Sequence, residues 1–135
     1  MTGKALQEFI NQPQRVGTLA TASADGQPNC ALIGSAVLED NDRLLLGLGN
    51  NRTLRNLKNN PHAIYSVFEP GASLLAWQGA RLYLELETLD EQGPLLQQMI
   101  DQVTRQAGAL AGGMIVAAVR FKVTAVRPQL DSCAN

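Results

Sequence analysis

The stretch Leu46-Gly47-Leu48-Gly49-Asn50-Asn51-Arg52-Thr53 places a cation and a hydroxyl where a strand end feeds the start of a helix. Free backbone N–H groups and the helix dipole make such a junction attractive to anions. A cation at the positive end of a helix is unfavourable unless an anion lies between it and the amides. Arg52 and the Thr53 hydroxyl therefore suit one phosphate group. A solvated Arg52 beside a capping Asn51 satisfies the same pattern, and the residues alone leave both readings open. Other phosphate motifs fit poorly. G-x-x-x-x-G-K-[ST] is absent, and Arg52 stands where the dinucleotide fingerprint begun by Gly47 and Gly49 needs its third glycine.

The remaining catalytic vocabulary is small. His62 is the only histidine, which excludes a zinc site built from several histidines and leaves a Ser-His-Asp triad dependent on this one residue. It follows Pro61 and precedes the apolar run Ala63 to Phe68, so it reads as a strand start with no chemical role. Glu85 and Glu87 alternate on one strand face and read as solvated, and Tyr65 and Tyr83 read as core or surface residues. Cys30 and Cys133 form neither a metal spacing nor a C-x-x-C motif. Reduced thiols in a cytoplasmic protein are expected, with Cys30 as a small core residue and a single disulfide as the alternative. No metal site is expected. Difficult chemistry would have to come from a cofactor.

A length of 135 residues is about one domain, spanning 1–135. With 45% hydrophobic and 17% charged residues, the composition is globular and excludes a disordered tail or a fibrous repeat. No apolar run approaches the ~18 residues of a membrane span. The polar start MTGKALQEFINQ lacks an apolar h-region, so no secretory signal is expected. Eleven basic against twelve acidic residues give a net charge of −1, without the basic surplus that phosphate neutralisation of nucleic acid requires.

The elements that must position Arg52 follow from periodicity. Residues 4–11 form a helix ended by Pro13, with Ala5, Leu6 and Phe9 toward the core. Val16 to Ala22 is a strand, Ala24-Asp25-Gly26-Gln27 a hairpin turn, and Asn29 to Leu38 one second strand. After the acidic turn 39–42, Arg43 to Leu48 makes a third strand, and Thr53 to Lys58 a short helix stopped by Asn59-Asn60-Pro61. His62 to Phe68 is a fourth strand, followed by an unusually apolar loop from Glu69 to Trp77 that suggests cover by a ligand or a second subunit. Gln78 to Leu89 alternates cleanly, with Leu82, Leu84 and Leu86 on one face. Pro94 opens a helix to Gln106 with a stripe of Leu95, Met99, Ile100 and Val103. A connector of small residues, 108–113, leads to a last strand, Met114 to Val126. Helix-interrupted β without βαβ alternation predicts a mainly β fold, a six-stranded antiparallel barrel with short flanking helices.

The order of Gly26-Gln27-Pro28 on a hairpin, an apolar strand, an acidic turn, Asn51-Arg52-Thr53 and Asn59-Asn60-Pro61 resembles the pyridoxamine-phosphate-oxidase-like FMN-binding split barrels, over roughly residues 8–127. The helix beginning at Gly93-Pro94 after a long strand is similar to the small FMN-binding proteins of that group. The resemblance implies a split barrel and FMN held non-covalently between the two subunits of a homodimer. It implies that Arg52 holds the FMN phosphate with Thr53 beside it, in a motif that includes Asn51. It also implies that the backbone of Ala31, Leu32, Ile33 and Gly34 runs along the isoalloxazine and ribityl chain. Leu46 and Gly47 match third-strand contacts, and Gln78 matches the flavin's polar edge. An FMN-dependent oxidoreductase is implied, with an unidentified redox partner or small-molecule substrate. Relatives that bind haem or deazaflavin, or that only carry or sense a cofactor, supply the alternative. Ala31 stands where the true oxidases place a phosphate-binding arginine, and Ala36 where they place a lysine for the substrate phosphate. Their C-terminal substrate segment is also expected to have no counterpart here. Pyridoxamine phosphate is therefore not the expected substrate.

Overall fold

The structure is a computed structural model that describes residues 2–130. Its elements run in the order α1 (Gly3–Asn11), β1 (Val16–Ala22), β2 (Pro28–Leu32), β3 (Val37–Glu39), β4 (Arg43–Leu48), α2 (Arg52–Asn59), β5 (His62–Glu69), β6 (Gln78–Asp90), α3 (Pro94–Ala107), α4 (Ala109–Gly113) and β7 (Ala117–Pro128). Short 3-10 turns cover Asp40–Asp42 and Leu74–Ala76.

One antiparallel sheet of seven strands, in the order β2-β1-β5-β6-β7-β4-β3, carries the fold. The expectation of six strands fails at a single place. Asn29 to Leu38 is not one strand: β2 pairs with β1, while β3 pairs with β4 at the far border of the sheet. The apolar residues that made the stretch look continuous hide a change of partner between Leu32 and Val37.

That crossing explains the shape of the sheet. Laid flat, the border strands would stand ~29 Å apart at ~4.8 Å per strand. The steps from Leu32 to Val37 reach at most ~18 Å. The sheet must therefore roll until its borders approach, which makes a barrel with a seam. Two register irregularities between β6 and β7, near Tyr83/Leu84 and Leu86/Thr88, let these long strands bend around it.

The barrel interior is filled by Leu19, Leu46, Leu48, Tyr65, Leu82 and Phe121, each at most 1% exposed. Leu6, Phe9 and Ile10 of α1 join the same cluster, whereas Ala5 is exposed. A second cluster, Leu45, Ala118 and Met99, lies where α3 packs on the outer face of β4 and β7. Burial on both faces explains why β4 reads as a continuous apolar run rather than an alternating one.

The 1–2 hairpin turns at Gly26, whose φ of 92° suits glycine. The expected connector at 108–113 forms the short helix α4. Cys30 is exposed on β2 instead of lying in the core, because it shares the outward parity of Pro28 and Leu32 on a border strand. Cys133 lies outside the described residues, and so does any pairing with it.

Candidate functional site

The short helix α2 begins where the sequence pattern expects it. Asn51 is its N-cap, and its side-chain oxygen accepts from the Leu54 N–H at 3.1 Å. No acidic residue stands in the first turn. Arg52 is exposed and has no hydrogen bond or ion pair among the described residues. Thr53 is only 1% exposed, and its hydroxyl accepts from the Asn29 amide at 3.3 Å, which ties the first turn of α2 to β2. A second buried bond, from the Asn56 amide to the Thr21 hydroxyl at 3.1 Å, fastens the same helix to β1.

The crossing between β2 and β3 is held from several directions. The Ile33 N–H donates to the Gly17 carbonyl at 3.0 Å. The Ser35 hydroxyl accepts from the Gly47 N–H at 3.0 Å and donates to the Gly47 carbonyl at 3.3 Å. A side chain thus takes over the ladder to β4 at the point where the backbone turns away from it. Arg15 donates through Nε to the Ile10 carbonyl at 2.8 Å, and through one terminal nitrogen to the carbonyls of Gly34 at 3.3 Å and Ala36 at 3.0 Å. Gln102 of α3 donates to the Ser35 carbonyl at 3.3 Å.

Beside this crossing lies a cleft of about 890 Å³, within the range of small-molecule sites. Leu32 to Val37 form one wall, Gly47 to Gly49 the floor toward α2, and Val103, Gln106, Met114 and Ile115 the opposite wall. Asn11, the last residue of α1, and Gln12, Pro13 and Arg15 after it complete the lining. A Cβ built on Gly34 would meet nothing within 4 Å, so the bare backbone there faces open space. Gly49 lies against the Asn51 amide, with 3.8 Å from its virtual Cβ to Nδ2, and so joins the cleft to the start of α2.

Of the residues singled out from sequence, Leu32, Ile33, Gly34 and Gly47 line this cleft. Ala31 is half-buried on β2. Leu46 has no exposure and belongs to the barrel core. Asn51, Arg52 and Thr53 form the start of α2. Gln78 is exposed at the start of β6, opposite Glu69 on β5, and is not part of the cleft lining. Sequence reasoning missed Arg15, Ser35 and Gln102. Only Gln102 left a trace, since it stands three residues after Met99, where the apolar stripe of α3 would otherwise continue.

The cleft wall contains one ionisable side chain, Arg15. His62 is exposed and lines a separate depression with Ala20, Ile64 and Tyr83. Among the described residues no cluster of His, Cys, Asp and Glu can hold a metal ion. The site is therefore suited to holding a ligand by backbone, apolar surface and fixed cations, not to general acid–base work. Beneath the crossing, the Tyr65 hydroxyl is buried without a partner, and desolvation raises its pKa against the opposing field of Arg15.

No curated protein matches the chain significantly. An FMN-binding protein from Syntrophomonas wolfei subsp. wolfei superposes with a TM-score of 0.80 at 18% identity, covering 94% of this chain and 85% of that one. The haem storage protein HutZ from Vibrio cholerae gives a TM-score of 0.70 at 20% identity, covering 92% of each chain. An F420 reductase gives 0.71 at 19% identity, covering 93% of this chain and 98% of that one. At such identities the likeness shows a shared split-barrel fold. The model of the family described as pyridoxamine 5'-phosphate oxidase matches residues 2–130, and the chain belongs to that family.

Proposed function

We propose that this chain is a redox flavoprotein that binds FMN non-covalently. The phosphate lies at Arg52 and the start of α2, and the isoalloxazine ring lies in the cleft beside the 33–36 crossing. The observation that carries the reading is an exposed, unpaired guanidinium at a helix start that adjoins a cleft with bare backbone in its wall. Family membership and the FMN-binding neighbour support it.

The residues present fit this ligand. Arg52 can meet the phosphate with a charge-assisted bond, beside the free N–H groups of the first turn. The backbone from Ala31 to Gly34 offers a surface without bulky side chains at Gly34, where a flat ring can approach. Leu46 in the barrel core, Gly47 through its bonds to Ser35 and Thr53 through its bond from Asn29 keep that surface in place, and Val103, Met114 and Ile115 add apolar side chains to the lining. Bound FMN supplies hydride or electron transfer through its N5 position. Substrates carrying a phosphate gain no cation from Ala31 or Ala36, which argues against pyridoxamine phosphate.

Two copies are proposed to share the site. Gln78 lies outside the cleft of its own protomer, which leaves the flavin's polar edge across a dimer interface as its place. The apolar turn at Leu74 and Leu75 is the accompanying contact surface. A cytoplasmic location agrees with the absence, among the described residues, of a helix long and apolar enough to cross a membrane.

An absorption spectrum of the purified protein tests the ligand, and FMN titration of wild type against Arg52→Ala tests the anchor. Flavin bands and a loss of about 2 kcal/mol in the variant are expected, which is about thirtyfold in Kd. A colourless protein that ignores added FMN, or an unchanged affinity in the variant, overturns the reading. A Soret band would favour haem instead, although His62, the one histidine, does not line the cleft.

A further inference from the structure

We infer that Arg15 is a positioning residue that turns the 33–36 crossing into a row of hydrogen-bond donors for the edge of a planar heterocycle. The inference rests on the flavin reading above and names how that site selects its ligand. A backbone segment normally offers as many acceptors as donors. Here the acceptors are already taken, because Arg15 holds the carbonyls of Gly34 and Ala36 and Gln102 holds that of Ser35. The N–H groups of the same residues, Gly34, Ser35 and Ala36, have no hydrogen bond among the described residues.

Ser35 is 8% exposed and Ala36 2%, while Gly34 is exposed, so two of the three unpaired N–H groups belong to buried residues. Buried N–H groups without partners are rare and costly, and these line the cleft wall. Their free capacity points to a ligand edge that carries acceptors. The O4–N5 side of an oxidised flavin presents a carbonyl oxygen and an unprotonated ring nitrogen next to each other, with the N3–H donor on the other flank of O4. The rim of a haem macrocycle offers such groups only on its propionates. The clamp thus favours a flavin-type heterocycle by presenting donors and withholding acceptors.

Arg15 is suited to this by its fork. Its Nε reaches the end of α1 at Ile10 while a terminal nitrogen bridges two carbonyls of the crossing. A lysine keeps the charge but lacks the planar geometry needed for both ends.

The test uses the full chain and two probes, FMN and riboflavin, which share the ring but differ in the phosphate. Arg52→Ala is expected to weaken FMN and leave riboflavin unchanged. Arg15→Gln and Arg15→Lys are expected to weaken both probes by the same factor, about tenfold or more. The carbonyl stretching frequencies of bound FMN are expected to lie below those of free FMN in wild type and to move back toward them in both Arg15 variants. A general loosening of the fold would not produce that spectroscopic return at saturating FMN.

Wild-type affinity and frequencies in Arg15→Gln overturn the clamp and leave the flavin reading standing. Recovery of wild-type behaviour by Arg15→Lys also overturns it, since charge alone would then suffice. A wild type that binds neither probe ends the flavin reading and this inference with it. If the Arg15 variants do not fold, Gln102→Leu decides: a smaller loss in the same direction for both probes supports the donor row, and unchanged binding overturns it.

Discussion

Tyr65 combines complete burial with a hydroxyl that has no partner, at a spot where Gly17 leaves just enough room for it. A Cβ on Gly17 would stand 2.0 Å from that hydroxyl oxygen and 2.4 Å from Cζ. Gly17→Ala is therefore expected to destabilise the barrel by about 1–3 kcal/mol through overpacking, read by chemical denaturation. Tyr65→Phe removes only the stranded oxygen, and a gain of about 1 kcal/mol is expected from the same measurement. The phenol's pKa is raised above 10.0 by desolvation, so the folded state keeps a proton that the unfolded chain gives up. Stability from this source is complete below that ordinary value and is lost as pH rises through the folded one. Alkaline unfolding of Tyr65→Phe is expected to begin at higher pH than that of wild type. None of this was readable beforehand, because Tyr65 sits in an apolar run that says only that something there is buried.

Among the elements, the crossing between β2 and β3 depends most on side-chain bonds. Ser35 replaces a ladder residue by bonding to both the N–H and the carbonyl of Gly47. Ser35→Ala is expected to cost about 1–3 kcal/mol, since it leaves buried groups of Gly47 unpaired. Amide hydrogen exchange at Gly47 is expected to quicken in that variant while exchange in β5 and β6 stays slow. The longer helices and long strands were legible because their periods are strong, whereas the small-residue helix α4 was not: Leu82 and Leu84 are buried as the alternation of β6 requires, and Met99 and Val103 as the stripe of α3 requires. The break after Leu32 was not legible. Apolar residues continue through it, and only the pairing of distant strands decides that one border ends and the other begins. Arg15 escaped notice for the same reason, since its partners are backbone carbonyls remote in sequence.

At the scale of the molecule, large apolar side chains are exposed on β2, on the turn before β6 and around α4, where Leu110 is 85% and Met114 66% exposed. Leu75 is 86% exposed, Leu32 76% and Leu74 62%, while Trp77 stacks on Phe68 at 5.5 Å and stiffens the turn that carries the leucines. Surface of this kind on a small domain marks contact with another molecule. A dimer is expected in analytical ultracentrifugation, and the combined changes Leu74→Asp and Leu75→Asp are expected to give a folded monomer with weakened FMN binding. A wild-type monomer that binds FMN fully would refute the shared site. The apolar character of this loop was visible in the sequence, but the identity of what covers it was not, because a surface of leucines does not specify its partner.

The seam of the barrel has an engineering corollary. Residues 33–36 act as a ruler, since their number limits how far apart the two borders can stand and so how wide the adjoining cleft is. Gauge set by chain length is insensitive to point substitution and sensitive to indels. Adding one glycine after Gly34 would lengthen that ruler and let the cleft widen, at the cost of respacing the carbonyls that Arg15 bridges.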